Sequence, residues 1–205
     1  GAALGVACDA GVLTFGDGPG ALKLLQEVSR GTVLGRVLGQ GAAITARVFG
    51  LNRVPVVKGQ AIPAHDPRKE IGTGIGYATN PQGADHTGVI IFHAENIAEM
   101  VETSRQKQIN TCAYDSMGLC QMAEPTPEVM AKLANSFYGW NWSVEDVAAL
   151  GQSVLEEELA FNRNAGLGPA TDRLPDFFKD EALSPHKGTF DVGDEEISKV
   201  FNSPK

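Results

Sequence analysis

Asp115-Ser116-Met117-Gly118-Leu119-Cys120 separates two apolar-periodic stretches, and its reading decides what kind of helical fold this chain is. In six residues it offers a carboxylate, a tight glycine and a thiol, a set able to close a small polar pocket on one side and grip a soft metal on the other. The plainer reading is a turn between two helices with Leu119 and Cys120 in the core. Two other cysteines exist, Cys8 and Cys112, so this chain cannot complete an all-cysteine iron–sulfur cluster, which takes four thiolates. A ligand at Cys120 would need partners from elsewhere.

Helical patterns flank this stretch. Upstream, residues 95–109 put Ile97, Met100, Val101 and Ile109 on one side of a predicted helix; downstream, Thr126-Pro127-Glu128 opens another that ends near Tyr138-Gly139-Trp140. Ser143-Val144-Glu145-Asp146 is a capping-box variant that introduces the longest helix, running to Asn164 before Gly166 and Gly168. Residues 1–20 read as the tail of one element and a turn at Phe15-Gly16-Asp17-Gly18-Pro19-Gly20, as in a chain cut from something longer. Leu22, Leu25 and Val28 predict a helix over 21–30 with Gly31 as its stop, and a second helix covers 34–49. Val54-Pro55-Val56-Val57-Lys58-Gly59 suits a short strand or a buried loop.

His65-Asp66-Pro67-Arg68 reads as a helix start, with Asp66 as cap and Pro67 in the first position. Gly72, Gly74 and Gly76 give the following helix poor propensity and mark close approach of a backbone or ligand. Leu174-Pro175-Asp176-Phe177-Phe178 and residues 195–201 form two further short elements near the surface. The fold class is therefore mainly α, multi-helical, with little strand.

At 205 residues and 42% hydrophobic content the chain can bury a core as one large or two small domains. A net charge of −8 without a Lys/Arg cluster argues against nucleic acid and anionic membrane as partners. No apolar run approaches the roughly 20 residues that span a bilayer. Three irregularly spaced cysteines do not make a disulfide framework and fit a reducing, cytoplasmic compartment.

Several short motifs, taken in order, resemble one family. They are Gly31-Thr32-Val33-Leu34-Gly35, Val57-Lys58-Gly59-Gln60, Asp66-Pro67-Arg68, Gly74-Ile75-Gly76-Tyr77-Ala78-Thr79-Asn80, Gly83-Ala84-Asp85-His86 and Tyr114-Asp115-Ser116-Met117-Gly118-Leu119-Cys120. Trp142-Ser143, Asp146, Glu158, Phe161-Asn162 and Asp172-Arg173-Leu174-Pro175 follow in the same order. Together they resemble the aldehyde ferredoxin oxidoreductase family, tungsten or molybdenum enzymes with a bis-pterin cofactor beside a 4Fe-4S cluster.

By that resemblance Asp115, Ser116, Met117, Gly118 and Leu119 would cradle one pterin, and Cys120 would be the fourth cluster ligand. An ionised Asp accepts from pterin N–H groups, and a thiolate suits iron. His86 matches the family's histidine near the metal, which would assist proton transfer as an aldehyde becomes an acid. Thr87-Gly88 departs from the basic position that often follows it.

The resemblance further implies residues 1–64 as part of a middle helical domain and 65–205 as a carboxy-terminal helical domain carrying the pterin and cluster loop. The family's cysteine triplet, first acidic-glycine-leucine motif and glutamate acid/base are missing here. The chain would then be a carboxy-terminal portion, inactive alone, completed by an amino-terminal portion, with ferredoxin as electron acceptor and a homodimer as a further assembly. A reductase of carboxylic acids or aromatic thioesters, and a non-catalytic helical interaction domain, are the alternatives.

Other residues read as structural. Arg68 pairs with a nearby acid or binds a pterin phosphate, and Tyr77 would line the same pocket as His86. His65, His93 and His186 show no ligand spacing and read as ordinary surface or turn histidines. Cys8 and Cys112 read as small buried residues, and Phe137, Tyr138, Trp140 and Trp142 as packing. His86 and residues 115–120 are expected to converge on one concave surface.

Overall fold

The computed structural model describes residues 1–202, which form ten α-helices and one short hairpin, so the mainly α, multi-helical expectation holds. The end of the expected 65–205 domain, residues 203–205, lies outside the described residues. The first four helices are α1 (Ala2–Asp9), α2 (Gly18–Arg30), α3 (Val33–Gly39) and α4 (Ala42–Phe49). α2 starts earlier than its apolar spacing suggests, because Asp17 accepts from the Gly20 amide at 2.9 Å and Pro19 fits the first turn. Gly18-Pro19-Gly20 therefore belongs to the helix and not to a preceding turn.

The single helix expected over 34–49 is broken at Gln40-Gly41, where Gly41 takes φ 88°. The Thr45 hydroxyl donates to the Gly41 carbonyl at 2.8 Å and holds the break in place. α1 and α4 meet through Val6, Ala42 and Ala46, backed by Leu51, Val54 and Val56.

The next segment is a hairpin, β1 (Val56–Val57) and β2 (Gln60–Ala61), antiparallel. Lys58 (φ 50°) and Gly59 (φ 84°) turn it, the left-handed pair that two-residue hairpins favour. Lys58 is a non-glycine residue in that region, and its side chain explains why it is kept there. Its ammonium, 3% exposed, donates to the carbonyls of Ala78 at 2.7 Å and Asn80 at 3.1 Å and pairs with Asp172 at 2.7 Å.

Those carbonyls end α5 (Ile71–Thr79), buried from Gly72 onward. Its glycines do mark close approach, but by side chains of this chain. A Cβ on Gly72 would strike Ile91, one on Gly74 would strike Phe190 and Pro67, and one on Gly76 would strike Val89. α5 also starts later than expected. Asp66 instead closes a tight turn, its carboxylate accepting from the Arg68 amide at 2.9 Å and its carbonyl from the Lys69 and Glu70 amides. Arg68 is structural, as read: it pairs with Asp66, donates to the Glu181 carbonyl and lies over Phe178.

The remaining helices are α6 (Ile97–Ser116), α7 (Pro127–Tyr138), α8 (Val144–Asn164), α9 (Phe177–Asp180) and α10 (Asp194–Asn202). The Ser143/Asp146 capping box forms as the sequence predicts. Gly151 lets α8 approach the Ile109 carbonyl of α6 too closely for any side chain. α9 and α10 lie near the surface, as expected, but each has a buried side. Phe178, Phe190, Val192, Ile197 and Val200 are buried with Ile75 and Tyr77 in the largest core, because the apolar faces of these short helices close over α5.

Two stability predictions follow from these contacts. Gly74→Ala and Gly76→Ala should each destabilise by about 1–3 kcal/mol despite alanine's better helix propensity, whereas Gly5→Ala, within α1 and in open space, should stabilise by about 0.5 kcal/mol. Urea midpoints of the three variants test this, and equal shifts would refute it. Lys58→Met strands Asp172 and two helix-end carbonyls and should cost about 3 kcal/mol in the same assay.

Candidate functional site

α6 continues past the expected Ile109 to Ser116, so Asp115 and Ser116 form its last turn and not a loop. Thr111 and Ala113, both buried, extend its inner face. The helix then ends on a left-handed glycine. Gly118 (φ 70°) donates to the Asp115 carbonyl at 3.0 Å and Leu119 to the Tyr114 carbonyl at 2.8 Å, the paired bonds of a Schellman stop. Gly118 is required by its φ; nothing in the chain lies within 4 Å of where its Cβ would be.

This turn sorts the six residues by side. Met117 and Leu119 pack inward on Ala113, Met130, Ala131 and Val147. Asp115, Ser116, Gly118 and Cys120 are exposed. Leu119 thus joins the core as the plain turn reading holds, while Cys120 does not. Cys8 and Cys112, expected to be buried, are only half-buried.

His86 lies on a different segment and lines a groove of about 980 Å³ with Phe92, His93, Thr111, Tyr114 and Met122. Its Nδ1 is 4.0 Å from Asp85 Oδ1, which also accepts from the Thr87 amide at 2.8 Å and hydroxyl at 2.7 Å. Thr87, in place of a basic residue, thus serves to fix Asp85. The His65 ring lies 5.4 Å from the His86 ring and 5.9 Å from Phe92. His65 is therefore part of this cluster and not an isolated turn histidine, which its spacing in the sequence could not reveal.

Asp115 and Ser116 line a neighbouring recess of about 110 Å³ with Asn80, Gln108, Cys112 and Glu158, and Thr111 borders both cavities. Burial and the charge of Asp85 raise the pKa of Asp115. Burial raises Glu158 too; the Cys112 thiol, donating at 3.8 Å, offsets part of the rise and the Asp115 charge adds to it. Cys112 is pushed up to about 12 by burial and these carboxylates, which keeps it a thiol at neutral pH.

Of the residues singled out in the sequence, Asp115 and Ser116 share the recess, His86 faces the adjoining groove, and Cys120 lines neither cavity. Tyr77 also lines neither, being 0% exposed in the core. Phe137, Tyr138 and Trp140 are 81%, 60% and 47% exposed and form a surface ladder that runs to Trp142, which alone of the four packs against a core as expected. Gln108 in the recess carries no signal in the sequence beyond its place on a long helix, whereas Glu158 stands among the motifs that carry the family resemblance.

The outward side of the turn fits a pterin: Asp115 is an exposed acceptor, and Gly118 leaves the backbone uncovered. For a four-iron cluster this chain offers one exposed thiol, Cys120, which fits a single ligand position.

Among curated proteins the chain is similar to the tungsten-containing aldehyde ferredoxin oxidoreductase of Pyrococcus horikoshii, 30% identical over 182 residues that cover 80% of this chain and 30% of that protein. The enzyme of the same name from Pyrococcus furiosus shows the same identity and coverage. That from Thermococcus kodakarensis is 31% identical over 173 residues, 76% of this chain and 29% of the relative. The chain thus spans less than a third of the length of these relatives. The sequence model described as aldehyde ferredoxin oxidoreductase, domains 2 & 3, matches residues 5–202, and this chain belongs to the aldehyde ferredoxin oxidoreductase family.

Proposed function

We propose that this chain forms the carboxy-terminal part of a tungsten- or molybdenum-pterin, iron–sulfur oxidoreductase that oxidises aldehydes to acids and passes the electrons to ferredoxin. The observation that carries this reading is the sorting of residues 115–120 by the Schellman turn, which packs Met117 and Leu119 inward, half-buried, and leaves Asp115, Ser116, Gly118 and Cys120 exposed. Asp115 would accept hydrogen bonds from the pterin edge, with the backbone of residues 116–119 lying alongside. Met117 and Leu119 would contribute main chain only, since their side chains hold the turn against α7 and α8. Cys120 would ligate one iron of the cluster, and the other thiolates would come from outside this chain.

When bound, the metal–pterin supplies the two-electron oxidation. Oxidation of an aldehyde to its acid takes an oxygen from water and releases two protons with the two electrons that pass to the metal. His86, with Nδ1 on the side of Asp85 and its ring against His65, which in turn meets Phe92, would take one of those protons at the groove. The same reading assigns residues 1–64 to a middle domain and 65–205 to a carboxy-terminal one, in a cytoplasmic enzyme completed by an amino-terminal portion and able to form a homodimer. The chain alone would be inactive.

The exposed aromatic rings of Phe137, Tyr138 and Trp140 favour a second reading, a non-catalytic interaction domain with the family's shape. Metal analysis separates the two. Tungsten or molybdenum and iron should be found by mass spectrometry in the longest natural polypeptide containing this chain, purified without oxygen. Asp115→Asn should lower the pterin metal and Cys120→Ser the iron. Unchanged metal in both variants, or none in the parent, would leave the interaction domain.

Thiol chemistry gives a further check. With iodoacetamide at pH 8, exposed Cys120 should alkylate at least about tenfold faster than Cys112, whose raised pKa leaves little thiolate. Equal rates would contradict the geometry.

A further inference from the structure

α7 is packed on one side only. Met130, Ala131 and Ala134 are buried, while Val129, Leu133 and Phe137, spaced four residues apart on the outer side, are 46%, 46% and 81% exposed. Residues at that spacing form one continuous ridge along a helix. The ridge runs on into an aromatic surface, since the Phe137 ring lies 4.8 Å from Tyr138 and the Tyr138 ring is stacked 4.6 Å from Trp140. No charged side chain interrupts it; Glu128 and Lys132 stand exposed on its flank.

The rings are held in place by this chain alone. Gly139, at φ 71°, ends α7, and Asn135 ties down the segment that follows. Its Nδ2 donates to the Trp142 carbonyl at 2.9 Å, and its Oδ1 accepts from the Trp142 amide at 2.6 Å. A surface ordered beforehand loses little entropy when it is covered. At 150–250 Å² for a whole aromatic ring, the exposed parts of Phe137, Tyr138 and Trp140, with those of Val129 and Leu133, amount to roughly 500 Å². Two such faces together would bury about 1,000 Å², enough for a specific interface.

The ridge is also symmetric about Leu133. In an antiparallel pair of α7 helices related by a two-fold axis through that residue, Leu133 meets its own copy and each Val129 lies under a Phe137, small against large at both ends. Ridges of this four-residue kind interlock at about −50°. We infer that the outer face of α7 is the contact between two copies of this chain, with Leu133 on the axis and Phe137, Tyr138 and Trp140 as anchors. The inference rests on the homodimer in the reading above, to which it gives a surface, and is independent of the cofactor.

The experiment combines sedimentation velocity with disulfide trapping, on the chain and on the longest natural polypeptide that contains it. Cys120→Ser is the background, which removes the exposed thiol. Helix axes 8–10 Å apart place the two Cα atoms on the axis roughly 5 Å from each other, within disulfide range. Leu133→Cys should therefore yield a disulfide-linked dimer under mild oxidation. Val129→Cys and Phe137→Cys should each stay unlinked alone and link when mixed. Phe137→Ala should weaken the dimer at least about thirtyfold, as loss of a central anchor does. Its circular dichroism should match the parent's, because the ring is exposed.

A dimer that survives Phe137→Ala and gives no Leu133→Cys link would overturn this inference and leave the homodimer standing on another face. Monomers at 100-micromolar concentration, roughly the upper end for a specific dimer of this area, would overturn both. A link in the chain but none in the longer polypeptide, with Leu133→Cys there shielded from iodoacetamide, would give the face to the amino-terminal portion and overturn the inference.

Discussion

The ammonium of Lys58 is the point at which three distant segments become one structure. It sits at the hairpin turn, on the last carbonyls of α5 and against Asp172, and it is almost fully enclosed. Burial lowers its pKa and the bond to Asp172 opposes that shift, so the pair is held where each charge needs the other. The left-handed backbone at Lys58 points the side chain to this spot. With the end of α5 fixed, the following residues 80–88 are fixed too, and they carry one wall of the recess and His86.

α5 is the other half of that constraint. A helix with glycine at positions 72, 74 and 76 has little intrinsic stability, and it persists because Ile91, Phe190, Pro67 and Val89 fill the space that side chains would occupy. The result is a helix that other elements approach at unusually short range. Thr73 uses this closeness, its hydroxyl donating to the Ile91 carbonyl at 3.0 Å and accepting from the Ile91 amide at 2.9 Å. The segment that lines the large groove, from Val89 to His93, is thereby laid along α5.

The charge pattern around the site follows from what packs there. The charge of Asp85 raises the cost of ionising Asp115, and that of Asp115 the cost of ionising Glu158, while no cationic side chain lines the recess that Asp115 and Glu158 share. Basic side chains are committed elsewhere: Lys58 to Asp172, Arg68 to Asp66, and Arg53 to Glu181 and Asp9.

Much of this was legible in the chain itself. The Ser143 capping box, Thr126-Pro127 and Gly31 signal helix ends through local hydrogen bonding and backbone sterics, and each acts as its sequence says. The acidic-glycine-cysteine motif at 115–120 was visible for the same local reason, since Gly118 stops α6 by its φ whatever surrounds it. Tertiary packing alone decided the rest. The burial of one side of α9 and α10, the contact of His65 with His86 and the meeting of Gln108 with Glu158 all join residues far apart in the chain. Local propensity carries no information about such pairings, because their energy exists only once the helices have packed.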